Sequence, residues 1–440
     1  MPRHAVDRSQ RAMAAAGVLA ALAVATWAGT HRIHLGQSLD LTAVFPAFVL
    51  IVVVFSVAVP SRRFATRPMA AGKVVAVIPA FNEDADALHG TIRSLLASTR
   101  PPDEIHVVDD GSDEPIPSFE HPRVFWYRQL NAGKRRAQAH ALRNATAVDF
   151  VLTVDSDCTV DRFAVQRLLQ AMSDGDVQAA TGLPLTRNRS TWLPRIIDLE
   201  IASICLTYRA ARSRLGSLTT CSGALSMYRA DVVLNNLDDY TSSTWMAGDD
   251  RRLTHYAMLR GKVVSVADAV VHTDMPDKIK KLFRQRVRWS TSHWRYFFWE
   301  IAHLPLIAML WTSYLTVLYI IVPATLIWTL IVSPLLGLGF AGQVLAYWLS
   351  ILWLVNIKYL VGRPHMPVRE RLVNWAVGTP VLLCVHLLVL RPAMIKALFR
   401  TLLGHTRTAT WGTRGATRTA GRYRLRPAGR YRGGRISILA

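Results

Sequence analysis

Apolar residues fall in three blocks along this chain, and their spacing changes from one block to the next. Met13 to Trp27 and Leu41 to Val59 are continuous apolar runs joined by a short polar turn. Each is about long enough to cross a bilayer of ~30 Å, which predicts a helical hairpin. From Lys73 the period shortens. Val74 to Ile78, Ile105 to Val108, Val124 to Tyr127 and Phe150 to Val154 predict strands. Leu88, Ile92, Leu95 and Leu96, then Ala137 to Leu142 and Phe163 to Met172, predict the helices between them. Strands alternating with helices imply an α/β domain on a parallel sheet, a fold that keeps its ligands at the carboxyl ends of the strands.

Beyond Trp294 long apolar runs return. Trp311 to Leu330 and Val344 to Val361 read as membrane spans, joined by the weakly charged loop from Gly337 to Gln343. Leu372 to Leu403 is interrupted at Gly378-Thr379-Pro380 and again at Arg391-Pro392. It predicts a bent, re-entrant or two-part hairpin that returns the tail to the side it came from. The expected organisation is a transmembrane hairpin over 1–62, a central α/β domain over 63–275 and interfacial helices over 276–303. A C-terminal membrane region over 304–404 and a basic tail over 405–440 complete it.

Charge refines this picture. The chain of 440 residues is 51% hydrophobic and carries a net charge of +22. Its arginines crowd the membrane flanks (Arg62, Arg63, Arg67, Arg363, Arg369, Arg371) and the tail from Arg414 to Arg435. That distribution marks cytoplasmic segments and makes membrane lipid the expected partner of the basic surface. No helix-turn-helix, zinc-ligand or aromatic-platform pattern accompanies the charge, so nucleic acid is not expected as a partner. Cys158, Cys205, Cys221 and Cys384 include no CxxC pair, which fits a reducing compartment and neither a disulfide framework nor a zinc site. The expected location is the cell membrane, multi-pass, with the central domain in the cytoplasm.

Acidic residues stand at the ends of successive predicted strands: Asn82-Glu83, Asp109-Asp110-Gly111, and Asp155-Ser156-Asp157, with the basic Asn131-Ala132-Gly133-Lys134-Arg135 beside them. Residues i and i+2 leaving a strand point to one side, so Asp155 and Asp157 can face a single hard cation, Mg²⁺ or Mn²⁺, of the kind that bridges a diphosphate. Gly248-Asp249-Asp250-Arg251 offers adjacent carboxylates, one of which can serve as a general base. In Gln285-Arg286-Val287-Arg288-Trp289, positions i, i+3 and i+4 share a helical face, so Gln285, Arg288 and Trp289 are expected to project together. A guidanidinium such as that of Arg288 clamps phosphate bidentately, and the Trp289 indole gives a sugar a flat stacking surface.

In that order, between flanking membrane helices, these motifs resemble the processive inverting glycosyltransferases of GT-A fold, which include cellulose, chitin and hyaluronan synthases. The resemblance runs from about residue 73 to 415. It is strongest to the hyaluronan synthases, through Ser222-Gly223-Ala224-Leu225-Ser226-Met227-Tyr228-Arg229, Gly248 to Thr254, and Trp411-Gly412-Thr413-Arg414. The resemblance implies a Rossmann-like GT-A domain between N- and C-terminal transmembrane helices, using UDP-sugar donors and a growing polysaccharide acceptor. It implies that Glu83, Asp110 and Lys134 hold the uridine and its phosphates, and that Asp155 and Asp157 serve the metal and the donor. Asp250, beside Asp249, would be the base, and Arg288 with Gln285 would meet the diphosphate. Trp289 would stack the acceptor at the mouth of a membrane channel, and Trp411 to Arg414 would gate the donor. Ala224 departs from the proline usual in hyaluronan synthases, which loosens the sugar assignment but not the reaction class; the alternative products are an N-acetylglucosamine homopolymer or a sugar transferred once to a lipid.

Overall fold

The computed structural model describes residues 64–242, 248–337, 342–363, 365–404, 410–412 and 417–419. The predicted N-terminal hairpin, Arg414 and most of the tail lie outside the described residues.

The four predicted strands form where expected: β1 (Val74–Ala80), β2 (Glu104–Asp109), β3 (Val124–Arg128) and β4 (Phe150–Val154). Every residue of β1 is buried, which is why its sequence is continuously apolar rather than alternating. Between the strands run α1 (Ala85–Leu96), α2 (Lys134–Asn144) and α3 (Ala164–Met172). Asp84 starts α1 by accepting the Ala87 N–H at 2.9 Å, an N-cap of the usual Asp type. The Leu88, Ile92 and Leu95 stripe of α1 packs with α3 (Leu168, Leu169) on Val74, Ala76 and Ile78. The opposite face takes α2, whose Ala137 and Ala141 pack on Val75, Val77 and Val108.

The sheet is larger than the sequence pattern implies and it is mixed rather than parallel. With β5 (Thr159–Val160), β6 (Val177–Thr186), β7 (Leu225–Arg229) and β8 (Lys262–Thr273) the order is β3-β2-β1-β4-β7-β6-β8-β5. β3, β2, β1 and β4 are mutually parallel, but β7 runs antiparallel to both β4 and β6. After β6 the chain makes a helical excursion, α4 (Trp192–Ser203) continuing through a π-helical stretch to Arg209, and returns at the same edge. Such a return needs no crossover, and its product is an antiparallel neighbour. The register pairs Val154 with Leu225, so the Ser222–Ala224 approach to β7 lies beside Asp155.

α5 (Asp249–Arg260) precedes β8, and α6 (Ile279–His303) is one unbroken helix of 25 residues where several interfacial helices were expected. Then come α7 (Leu306–Ile327), α8 (Gly342–Val355), α9 (Val368–Ala376) and α10 (Gly378–Leu402). The interruption expected at Gly378 separates α9 from α10. The one expected at Arg391-Pro392 is absent, because the π-helical turn His386–Leu390 places Pro392 in the first turn of the segment that follows, where a missing N–H breaks no bond. At ~1.5 Å per residue α10 is about 37 Å long. Among the described residues it is long and apolar enough to cross a membrane by length and composition; Leu306–Val317, within α7, and Trp348–Gly362 are shorter apolar stretches. Leu388, Ile395, Phe399 and Leu402 of α10 are exposed.

Candidate active site

Because β2, β1 and β4 are neighbours, the loops at their carboxyl ends lie side by side. They are stitched together by short polar side chains. The Asn82 N–H donates to Ser112 Oγ at 2.8 Å, and the Asp113 N–H donates back to Asn82 Oδ1 at 2.8 Å. Asn82 sits at φ 48°, a conformation asparagine tolerates better than most residues. Ser156 Oγ donates to Glu83 Oε2 at 2.8 Å, tying the first loop to the Asp-Ser-Asp turn. Gly111, at φ 76°, allows the second loop to meet the Asn131 backbone; a Cβ there would stand 2.6 Å from Asn131 N.

Asp110 is fully buried beneath this junction. Its Oδ1 accepts from Gln129 Nε2 at 2.6 Å and the Ala132 N–H at 3.0 Å, and its Oδ2 accepts from the Gly133 N–H at 2.7 Å. Burial pushes its carboxyl up to about 6, against the pull of these donors. Through these bonds Asp110 ties the Ala132–Gly133 turn that launches α2 to the end of β2.

Lys134, the first residue of α2, is the centre of the site. Its Nζ donates to Asp155 Oδ1 at 2.8 Å and lies 2.9 Å from Asp249 Oδ2. Burial disfavours the ammonium charge, but the two carboxylates outweigh it and hold the lysine well above its ordinary value. Gly223 closes the same space: a Cβ on it would stand 3.2 Å from Lys134 Nζ and 3.3 Å from Asp155 Oδ2. Residues from four separate stretches, Lys134, Asp155, Gly223 and Asp249, thus meet at one place.

Asp249 and Asp250 occupy the first turn of α5, where the helix dipole favours negative charge. They do not behave alike. Burial raises both, but for Asp249 the Lys134 ammonium prevails and lowers it below the usual carboxylate range. Asp250 is pushed up to about 6 by burial and by the neighbouring Asp249 charge. Its Oδ1 accepts the Arg251 N–H at 2.8 Å. The two are thus unlike: Lys134 favours the ionised form of Asp249, while burial and the Asp249 charge hold Asp250 above the usual carboxylate range.

The turn before α5 is seated on α6. Gly248 has φ 85°, and a Cβ there would lie 2.5 Å from Ser292 Oγ and 3.0 Å from Tyr296 Cε2. Arg251 Nη1 donates to Glu300 Oε1 at 2.7 Å, and His255 Nε2 lies 2.9 Å from the same oxygen. Glu300 is fully buried; burial raises its carboxyl, but Arg251 and His255 overcome that and take it down to about 2. The sequence analysis did not select Glu300, although a lone acid inside Phe297-Phe298-Trp299-Glu300-Ile301 is a signal for a buried pair.

Within α6, Gln285 is half-buried, while Arg288 and Trp289 are exposed. The ring of Trp289 meets Arg286: the guanidinium stands 4.5 Å from the ring centroid. Arg286 is buried, and its Nη2 donates to Glu200 Oε2 of α4 at 2.5 Å. Neither partner was singled out by sequence. Arg187 is a third omission: it holds Asp274 through two hydrogen bonds (2.9 and 2.8 Å) and reaches Thr159 Oγ1 at 2.9 Å and the Asp157 carbonyl at 3.5 Å. Trp411 lies in a short strand, Thr410–Gly412, paired antiparallel with Thr417–Thr419.

A divalent ion fits this chemistry in a particular way. Among the described residues no three His, Cys, Asp or Glu side chains gather as a self-sufficient metal cage. Asp155 is 39% exposed, with one oxygen on Lys134, and Asp157 is half-buried at the same turn. Mg²⁺ or Mn²⁺ bound by one or two carboxylates and completed by substrate phosphates and water requires no more.

The mixed sheet, its strand-end acids and the paired acids that open α5 are those of a glycosyltransferase of GT-A fold. Over 82% of this chain and 99% of the other, it is similar to a mannosyltransferase from Pyrobaculum calidifontis solved with GDP-Man and Mn²⁺, at TM-score 0.50 and 17% identity, a likeness of fold. Residues 71–292 match the family described as Glycosyltransferase like family 2. The chain is 35% identical over 367 residues to a hyaluronan synthase of Streptococcus pyogenes, spanning 78% of this chain and 83% of that one. It is 34% identical over 255 residues to an N-acetylglucosaminyltransferase of Rhizobium meliloti (strain 1021), spanning 54% and 59%. The protein belongs to glycosyltransferase family 2, and its kinship within that family is with the hyaluronan synthases.

Proposed function

We propose that the protein is a membrane-embedded, processive, inverting glycosyltransferase that polymerises UDP-sugars, UDP-N-acetylglucosamine and UDP-glucuronate, into a β-linked polysaccharide and exports it. The observation that carries the reading is the meeting of Lys134 with Asp155 and Asp249 at the start of α5, whose Gly248 turn is seated on the Trp289-bearing helix. The catalytic domain is assigned to 63–275, the Gln285–Trp289 helix to the membrane interface, and 304–404 to a multi-pass membrane region. The exposed apolar face of α10 supports that last assignment. Trp411 and Arg414 are assigned to a segment that closes over the donor.

The acceptor hydroxyl gives its proton to Asp250 while its oxygen attacks the anomeric carbon, and the bond from that carbon to UDP breaks in line. With Oδ1 of Asp250 held by the Arg251 N–H, Oδ2 is the oxygen that receives the proton. Asp249 keeps Asp250 basic enough for this, and Lys134 keeps Asp249 ionised. Arg288 clamps the phosphates as they depart, while Trp289 holds the acceptor sugar. Asp155 and Asp157 would hold a Mg²⁺ or Mn²⁺, which would supply neutralisation of the diphosphate charge. Glu83 and Lys134 line the donor side, and Asp110 shapes the turn beneath it.

The direct test supplies membranes with each UDP-sugar alone and then with both, and digests any polymer with linkage-specific hydrolases. Product from the pair only is expected. Polymer from UDP-N-acetylglucosamine alone would replace this reading with a homopolymer synthase, an alternative favoured by Ala224 and by the likeness to N-acetylglucosaminyltransferases.

A further inference from the structure

The Arg286 side chain lies within the motif but is absorbed by none of the roles above. It stands one helical turn before Trp289, on the same face, with its guanidinium 4.5 Å from the indole centroid. Arg286 is 8% exposed, whereas Trp289 is 38% exposed, so one side of the indole is backed by a buried cation and the rest is open. The cation is itself held: Glu200, 5% exposed, accepts from Arg286 Nη2 at 2.5 Å. Glu200 sits on a fixed helix. Two residues earlier, Asp198 accepts the Thr186 N–H at 3.1 Å, the Tyr359 hydroxyl at 2.9 Å and Arg363 Nη2 at 2.6 and 2.7 Å.

A solvent-exposed tryptophan has two free side-chain torsions, and a stacking platform for a sugar works only if its plane is held. A planar guanidinium laid on the ring supplies that restraint, and an ammonium does not reproduce it. We infer that Arg286 is a positioning residue that holds the Trp289 ring as the acceptor platform, with Glu200 as its anchor. The inference rests on the acceptor role proposed for Trp289. It predicts that loss of the restraint is felt by the acceptor and not by the donor.

The test uses the full-length enzyme in membranes and three measurements. These are UDP release from donor without acceptor, the KM for a short oligosaccharide cut from the enzyme's own polymer, and the length of the polymer made. Arg286→Lys and Glu200→Gln are expected to leave UDP release and donor KM unchanged, to raise acceptor KM about tenfold, as loss of a desolvated cation–π contact would, and to shorten the polymer. Trp289→Ala should give the same signature more strongly. Should Arg286→Lys and Glu200→Gln depress UDP release and polymerisation in equal proportion, Arg286 is a structural residue and the inference fails. It fails equally if both leave acceptor KM and length untouched while Trp289→Ala changes them. If Trp289→Ala alters neither, the acceptor role of Trp289 is wrong and the inference goes with it.

Discussion

Helix α5 contributes to two ionic clusters, and they differ in openness. At its start Asp249 joins Lys134 and Asp155, whose side chains are 21% and 39% exposed for the last two. One turn further in, Arg251 and His255 close on Glu300, which has no exposure at all. In the closed cluster both oxygens of the acid are occupied, with Thr312 Oγ1 donating to the second Glu300 oxygen at 3.1 Å, and its partners drive the acid strongly toward the ionised form. The open cluster leaves one acid of its dyad held up near 6. Charges that only hold helices together are paired and sealed; charges that must change protonation or partner are left imperfectly compensated and reachable.

Removing the proton acceptor should separate the clusters most sharply. Asp250→Asn is expected to lower polymer synthesis about 10²–10⁴-fold while donor binding survives, as measured by product formation against UDP-sugar affinity. Because Asp250 carries a raised pKa, its charge costs stability above about pH 6, so the same variant should unfold at a higher temperature at neutral pH. Retained synthesis would remove Asp250 as the base.

The closed cluster should respond in the opposite sense. Glu300→Ala leaves Arg251 and His255 buried without their counter-charge and is expected to cost about 3–5 kcal/mol in unfolding experiments. With its folded pKa depressed to about 2, Glu300 contributes stability above its ordinary range that is lost as pH falls from about 4.5 through about 2. The variant should therefore lose less stability than the parent across that acid window.

A third prediction concerns pH alone. kcat/KM should fall as pH drops through about 6, and Asp249→Asn, which removes the charge lifting Asp250, should move that limb to lower pH. A limb that stays in place would mean that burial alone sets the base. The smallest effect belongs to Thr312→Val, expected to cost about 1 kcal/mol of stability with synthesis unchanged.

The gathering of the strand-end acids was legible in sequence. Continuous apolar runs ended in Glu83, Asp110 and Asp155, and a parallel arrangement of β2, β1 and β4 was enough to bring those ends together. The antiparallel β7 was not legible, because residues 204–224 carry no strand periodicity to announce the returning chain. Asp110 was legible as a site residue but not as a buried one, since nothing local reports that three donors from Gln129 to Gly133 converge on it. Helical spacing was enough to set Gln285, Arg288 and Trp289 on one side of α6, but the Arg286 guanidinium against the Trp289 ring was not legible, because Arg286 is fixed by Glu200 from a distant helix.

By itself the sequence determined the strands, the helices between them, and the acids that end the strands, because periodicity and turn chemistry act over a few residues. Tertiary structure alone decided the partners: Lys134 with Asp155 across 21 residues, Arg286 with Glu200 across 86, and Arg251 with Glu300 across 49. Those pairings, and the protonation states that follow from them, depend on which distant side chain reaches a buried charge first, and no local pattern encodes that distance.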